Sequence, residues 1–252
     1  MSDPIGEIAA AAAGGDRPLL VASDVDGTLS PIVARAADAY LVPGAREVMQ
    51  RLARTDGVIA AVISGRPLHQ LRNQFGFDDE VRLLASHGLE DSHQPDFALD
   101  AGEQHLLDEV RHELQTVAAA VHGAWVEDKP AAAVLHVREA TAAEGDAALA
   151  HAGVRLGERA GVFLIPGHRV LEVTVRPTSK AAALMRLRAE TGARTVMFAG
   201  DDAADEEVMA SLGPLDVGVR VGTDPSLARF RVDEPADVVA LLDALAATLE
   251  LG

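Results

Sequence analysis

The sequence predicts an α/β fold, a doubly wound and mostly parallel sheet with a smaller α+β domain inserted in it. Three observations carry this. Short apolar runs that end in polar or glycine residues alternate with helical patterns over residues 18–88 and again from residue 176, as buried parallel strands and their crossover helices do. Between them, residues 89–175 read as a helix, two alternating strands, a second helix and two more strands, the pattern of a separate α+β unit. The apolar residues, 48% of 252, are almost all aliphatic, with 3% aromatics and no cysteine. Such a core suits layers of Val, Leu, Ile and Ala between sheet and helices better than a β-sandwich. The expected domains are residues 1–88 with 176–252, and residues 89–175.

The elements follow in order. Residues 18–23 form an apolar strand that runs into Asp24-Val-Asp-Gly-Thr28. Residues 43–54 place Val48 and Leu52 at helical spacing, and 57–63 are a second strand ending at Ser64-Gly-Arg-Pro67. A helix is expected over 68–75 and a strand over 81–85, running into Ser86-His-Gly88. In the inserted region a helix spans 102–121, with Leu106, Leu107, Val110, Leu114 and Val117 on one face. Residues 124–129 and 133–138 are short strands, 144–152 a helix, and 162–175 a hairpin turning around Pro166-Gly167. The parallel pattern then resumes with a helix over 180–190 and a strand over 195–199 that leads into Gly200-Asp-Asp-Ala-Ala-Asp-Glu206. Strands over 215–221 and 228–232 and a helix over 236–249 close the chain.

Charge removes several function classes. The chain carries 22 Lys+Arg against 39 Asp+Glu, a net charge of −17. That excludes a nucleic-acid backbone as partner, since such binding needs a basic stripe, and it excludes a basic membrane-binding face. No apolar run approaches the ~20 residues of a bilayer span. Without cysteine there is no disulfide framework, zinc ribbon or thiol nucleophile. Residues 1–16 lack a basic n-region, so they read as a short, weakly ordered lead-in and not as a signal peptide. A cytoplasmic monomer is expected. Of the 22 basic residues only Lys129 and Lys180 are lysine, which singles them out as places where a compact ammonium is needed and a planar fork does not serve.

In open α/β sheets ligands sit at the carboxyl ends of the strands. The residues there are Asp24 and Asp26, Ser64, and Asp201, Asp202 and Asp205, with Lys180 opening a helix. An isolated Asp-x-Asp is ordinarily a turn or cap. A second acidic cluster at another strand end makes it a set of hard oxygen ligands without His or Cys, the kind that Mg²⁺ prefers. Two carboxylates two residues apart also need a cation to neutralise them. Ser64 with its neighbouring N–H groups, and Lys180 near a helix start, suit a phosphate oxygen.

Asp24-Val-Asp-Gly-Thr-Leu29, Ser64-Gly-Arg66, Lys180 and Gly200-Asp-Asp-Ala-Ala-Asp-Glu206 resemble, in order, the four motifs of the haloacid dehalogenase-like phosphatases. The insertion between the second and third motifs resembles their type-II cap, on a Rossmann-like core. Within that superfamily the chain is most similar, over residues 18–245, to the trehalose-6-phosphate phosphatases. Thr-Leu-Ser-Pro-Ile, Ala-Ser-His-Gly-Leu-Glu90 and the cap segments Val-Glu-Asp-Lys129, His136-Val-Arg138 and Leu171-Glu-Val carry that similarity.

The resemblance implies that Asp24 is the nucleophile and Asp26 the general acid and base. It implies Mg²⁺ held by Asp24, the Asp26 backbone carbonyl and Asp201, with Asp202 and Asp205 supporting. Thr28, Ser64 and Lys180 would bind phosphate oxygens. Arg66, His87, Glu127, Lys129, Arg138 and Glu172 would bind or order the sugar phosphate. The chain departs from the family's usual pattern at Ala181, Ala204 and Val170, and in a longer Val-Thr-Val-Arg-Pro177. Another sugar phosphate, a glycosyl-phosphoglycerate, a phosphomutase reaction and a non-catalytic sensor are the rival readings. The histidines show no metal-ligand spacing, so His105 and His112 read as solvated helix positions. Trp125 reads as a core residue of the inserted domain, with a sugar-stacking platform as the alternative.

Overall fold

The computed structural model describes residues 4–33, 35–94 and 97–251. In chain order the elements are α1 (Pro4–Ala13), β1 (Leu19–Ser23), α2 (Ala45–Ala53), β2 (Val58–Ile63), α3 (Leu68–Asn73), β3 (Arg82–Ala85) and β4 (Glu90–Asp91). These are followed by α4 (Ala101–Ala119), β5 (Trp125–Asp128), β6 (Ala132–His136), α5 (Ala142–Gly157), β7 (Phe163–Gly167) and β8 (Val170–Thr174). The chain ends with α6 (Lys180–Thr191), β9 (Thr195–Gly200), α7 (Ala203–Ser211), β10 (Val217–Val221), β11 (Phe230–Val232) and α8 (Pro235–Leu251). It divides into two compact units, residues 1–95 with 178–252, and residues 96–177.

The first unit holds a seven-stranded sheet in the order β11-β10-β9-β1-β2-β3-β4. All its pairings are parallel except β3 with β4. Strands β1, β2, β3, β9 and β10 are buried on both faces, and the two-residue side-chain period sorts them into two cores. Leu19, Val21, Ala60 and Val62 join α1, α2, α3 and α8 in one cluster. Leu20, Ala22, Ala61, Ile63 and Phe198 join α6 and α7 in the other. The unit runs past the expected boundary at residue 88 because β4 folds back on β3, where the Arg82 guanidinium holds the Asp91 carboxylate at 2.5 and 2.6 Å.

The N-terminal segment is not a loose lead-in. Pro4 to Ala13 is a helix whose Ile8, Ala9 and Ala12 are buried in the first cluster. An alanine run with no polar side chain to compete for the backbone is a strong helix former, and two isoleucines make one face worth burying. Among the described residues no helix is long and apolar enough to cross a membrane.

The second unit is a four-stranded antiparallel sheet, order β5-β6-β8-β7, with α4 and α5. One sheet face, with Ala133, Leu135, Leu171 and Val173, packs with Val110, Leu114 and Ala152 of these helices. Its last hairpin does not turn at Pro166-Gly167. Both residues lie in β7, an edge strand where proline costs no ladder bond, and the turn falls at His168-Arg169. Arg169 takes a left-handed conformation, φ 59°. Its guanidinium holds that turn by donating to the carbonyls of Val137 (2.6 Å) and Ala140 (2.9 Å).

Candidate active site

The order β9-β1-β2 brings distant motifs together. Asp24, Ser64 and Asp201 each follow the last residue of one of these three neighbouring strands. Ser23 is registered with both Val62 and Ala199, and the Asp24 N–H donates to the Ala199 carbonyl at 3.0 Å. The third motif enters through α6, whose N-cap Ser179 accepts from the Ala182 N–H. That start aims the Lys180 side chain, 2% exposed, between two carboxylates: Nζ lies 2.9 Å from Asp24 Oδ1 and 2.9 Å from Asp205 Oδ1.

The acidic cluster is built by a capping box. Asp202 caps α7 by accepting from the Asp205 N–H, and Asp205 Oδ2 accepts from the N–H groups of Asp201 (2.9 Å) and Asp202 (3.0 Å). Asp205 is therefore a buried brace whose oxygens are already engaged, and it fixes the turn that carries Asp201. Gly27 lets that turn approach: it adopts φ +88°, and a Cβ there would lie 2.1 Å from Asp201 Oδ2. Thr28, fully buried, donates from Oγ1 to Asp201 Oδ1 at 3.3 Å.

Charge is unbalanced here. Burial pushes the Asp24 carboxyl well above its ordinary range; Lys180 opposes this, and Asp205, Asp202 and Asp201 add to it. Burial, with Asp205 and Asp202, pushes Asp201 up to about 7. Burial works against the Lys180 ammonium, yet Asp205, Asp24 and Asp202 hold its pKa well above the usual lysine range. Asp24, Asp201 and Asp205 each offer an oxygen, all within 4.8 Å of one another. Crowded hard oxygens beside a single lysine fit a small, oxygen-binding divalent cation.

A measurable pH dependence follows. The ordinary value for Asp201 is 3.8, so in metal-free protein the folded state binds more protons than the unfolded state between about pH 4 and pH 7. The site's contribution to stability then falls as pH rises through that window. The melting temperature of wild type minus that of Asp201→Asn, followed from pH 4.5 to 8, is expected to decline and then level off. A flat difference would contradict the charge imbalance.

Asp26 does not join this cluster through its side chain. The Arg66 guanidinium holds its carboxylate as a fork, Nε to Oδ2 at 2.5 Å and Nη2 to Oδ1 at 2.7 Å. The remaining Arg66 nitrogen faces the Ala36 carbonyl, Gln70 and Gln74. Arg66, expected on the substrate, is thus engaged on the protein itself. His87 sits between left-handed Ser86 and Gly88, itself at φ 54°. Its N–H donates to the Ser64 carbonyl at 2.9 Å, and a Cβ on Gly65 would meet its ring at 2.7 Å. The strained turn packs the imidazole against the Ser64 loop.

The other expected residues lie in the second unit. Lys129 Nζ is 2.5 Å from Glu172 Oε2, and both side chains are buried. Glu127 Oε2 accepts from His136 Nε2 at 2.9 Å. Burial opposes the Glu127 charge, but the His136 bond and Lys129 hold its pKa below the ordinary range. Arg138 is not on the sheet: β6 ends at His136, and Arg138 stands exposed in the turn beyond it. Trp125 is not a core residue. It is 46% exposed and stacks on His136, centroids 3.9 Å apart and rings within 2° of parallel.

Sequence reasoning also passed over Arg220. It leaves the strand beside β9, is buried, and donates to the Asp202 carbonyl (3.1 Å) and Glu206 (3.2 Å). No motif marks it; only its position two strands from Asp24 in the sheet does.

The parallel-sheet fold is shared with a haloacid dehalogenase-like hydrolase of Bacteroides thetaiotaomicron, at a TM-score of 0.61 and 17% identity over 92% of this chain and 98% of that one. The chain belongs to the trehalose-phosphatase family, whose sequence model it matches over residues 22–236. An uncharacterized glycosyl hydrolase of Mycobacterium tuberculosis is 35% identical over 256 residues, covering 94% of this chain but 19% of that protein. A trehalose-phosphate phosphatase of the same organism is 31% identical over 247 residues, covering 90% of this chain and 61% of that protein. The chain thus spans about a fifth of one relative and three-fifths of the other. The solved C-terminal domain of Candida albicans trehalose-6-phosphate phosphatase shares the fold at a TM-score of 0.81 and 21% identity, over 98% of this chain and 97% of that one.

Proposed function

We propose that this chain is a Mg²⁺-dependent phosphatase that hydrolyses trehalose 6-phosphate to trehalose and phosphate. The observation that carries the reading is the buried Asp24 carboxylate at 2.9 Å from the buried Lys180 ammonium, at the end of the central strand. Lys180 suits a phosphate oxygen as a compact point charge. It also works against the desolvation that raises the Asp24 pKa, favouring the ionised form.

In this reading an Asp24 oxygen attacks phosphorus in line, and the bond to the sugar oxygen breaks as Asp26 gives that oxygen a proton. Water then attacks the aspartyl-phosphate, Asp26 takes the water proton, and phosphate leaves with Asp24 restored. Both Asp26 oxygens accept from Arg66, so one of those two bonds gives way when the carboxyl carries the proton. Thr28 and Ser64 donate to phosphate oxygens. Asp24, Asp201 and the Asp26 carbonyl would hold Mg²⁺, and the bound ion would neutralise charge on the transferring phosphoryl group. Asp205 and Arg220 position the turn that carries Asp201 and Asp202. Glu127, Lys129, Glu172 and Arg138 would hydrogen-bond sugar hydroxyls; carboxylates and cations give a polyol several directional bonds. We place the enzyme in the cytoplasm.

Phosphate release across a panel of sugar phosphates, with Mg²⁺ and then with excess EDTA, tests this. Fast release from trehalose 6-phosphate, slow release from glucose 6-phosphate and loss of both under EDTA are expected. Preference for another member would replace the substrate and keep the chemistry. Full turnover in EDTA would remove the metal from it.

A further inference from the structure

In the second unit, β5 and β6 pair with Trp125 opposite His136 and Glu127 opposite Val134, and β6 pairs with β8 so that Val134 faces Glu172. Side chains alternate along each strand, so Trp125, Glu127, His136 and Glu172 share one sheet face. The opposite face, with Ala133, Leu135, Leu171 and Val173, is the one buried against α4 and α5.

On that polar face an aromatic ring is stacked and braced. The His136 imidazole covers one side of the Trp125 indole, and Glu127 holds the imidazole in turn through its Nε2 hydrogen. The indole's exposure, 46% for the residue, therefore falls on its other face and its edge. A large apolar ring is backed by a polar network and left partly open to solvent beside an ionised carboxylate. Core packing does not require that arrangement, and it keeps about half of a tryptophan's apolar surface in water, which is unfavourable.

We propose that the open face of Trp125 is a stacking platform for the unphosphorylated pyranose ring of the substrate, with Glu127 bonding hydroxyls at that ring's edge. This deepens the assignment of trehalose 6-phosphate and rests on it. A pyranose offers an apolar face of C–H groups ringed by hydroxyls, which matches an indole flanked by a hydrogen-bonding carboxylate. The negative face of an aromatic quadrupole, next to the Glu127 charge, disfavours a phosphate dianion. The ring seated here is thus the one without phosphate. Glu127 stands two residues from Trp125 on the strand, roughly 6.6 Å along it, about one pyranose length. His136 is a positioning residue in this scheme: it orients both the indole and the carboxylate.

Trp125 is the sole tryptophan, so its fluorescence reports this site without any substitution. Titration of the wild-type chain with trehalose should give a saturable change in emission, and inorganic phosphate should give none. Trp125→Ala should lower the preference for trehalose 6-phosphate over glucose 6-phosphate, as a ratio of kcat/KM, by about tenfold. Trp125→Phe, which keeps a ring face, should recover most of that preference. An unchanged emission at saturating trehalose, or an unchanged preference in Trp125→Ala while wild type still cleaves trehalose 6-phosphate, overturns the platform alone. A wild-type chain that leaves trehalose 6-phosphate intact overturns the substrate assignment and the platform with it.

Discussion

Replacing Asp24 with asparagine should abolish phosphate release while making the metal-free protein more stable at pH 8. The two effects have different causes. Asparagine keeps the size and shape of the side chain but offers no anionic oxygen to phosphorus, and loss of a nucleophile of this kind costs about 10³-fold or more in kcat. The stability gain comes from charge. Burial raises the Asp24 pKa above the ordinary range; Lys180 opposes this, and Asp205, Asp202 and Asp201 add to it. A carboxyl whose folded pKa is raised loses stability as pH climbs from its unfolded value to its folded one. Asparagine has no such loss. The difference in melting temperature, variant minus wild type, should therefore grow from pH 5 to pH 8 without metal. Added Mg²⁺ should shrink or reverse it, because the wild type binds the ion better. Phosphate release beside thermal unfolding at two pH values reads both effects, and a variant retaining more than about 1% of wild-type turnover would remove Asp24 from the nucleophile's role.

The second large effect is expected at Lys180. Lys180→Met should destabilise the chain by about 3–5 kcal/mol near neutral pH, since it leaves buried carboxylates without their partner. Asp24 and Asp205 each lie 2.9 Å from the ammonium and would both have to hold charge without it. Protonation relieves them, so the penalty should be smaller at pH 5.5 than at pH 7.5. The sign is that of any acid whose folded pKa is raised: stability falls as pH rises. Lys180→Arg keeps the charge, but a planar fork does not occupy the place of one nitrogen set between two carboxylates. It should fall between wild type and methionine in stability, with turnover still low. Urea midpoints at the two pH values decide the matter; a methionine variant as stable as wild type at pH 7.5 would show that the lysine is not compensating these acids.

Both lysines of the chain are buried in ion pairs, Lys180 with Asp24 and Asp205 and Lys129 with Glu172. Their rarity marked them before any geometry was known. The strand ends were equally plain, because a parallel strand covered on both faces is a continuous apolar run and its polar successor stands out. Asp24, Ser64, Asp201 and Lys180 were legible in this way. The helix over 4–13 was not, because local pattern does not show that an alanine-rich run is buried against the sheet. The hairpin turn was misplaced for a related reason: Pro-Gly is a strong turn signal, yet an edge strand tolerates both residues.

What the sequence determined by itself is the set of groups available: which residues end strands, how many carboxylates must share one cation, and where parallel periodicity gives way to antiparallel. These depend on local pattern and on charge, which neighbours in the chain already specify. Only the tertiary structure decided the pairings. Asp26 could have faced the acidic cluster, and it faces the Arg66 fork. Asp205 could have been a free ligand, and it braces a turn. Trp125 could have filled a core, and it lies stacked and half exposed. Each outcome depends on which strand lies beside which and on the face a side chain takes, and neither is settled until the sheet assembles.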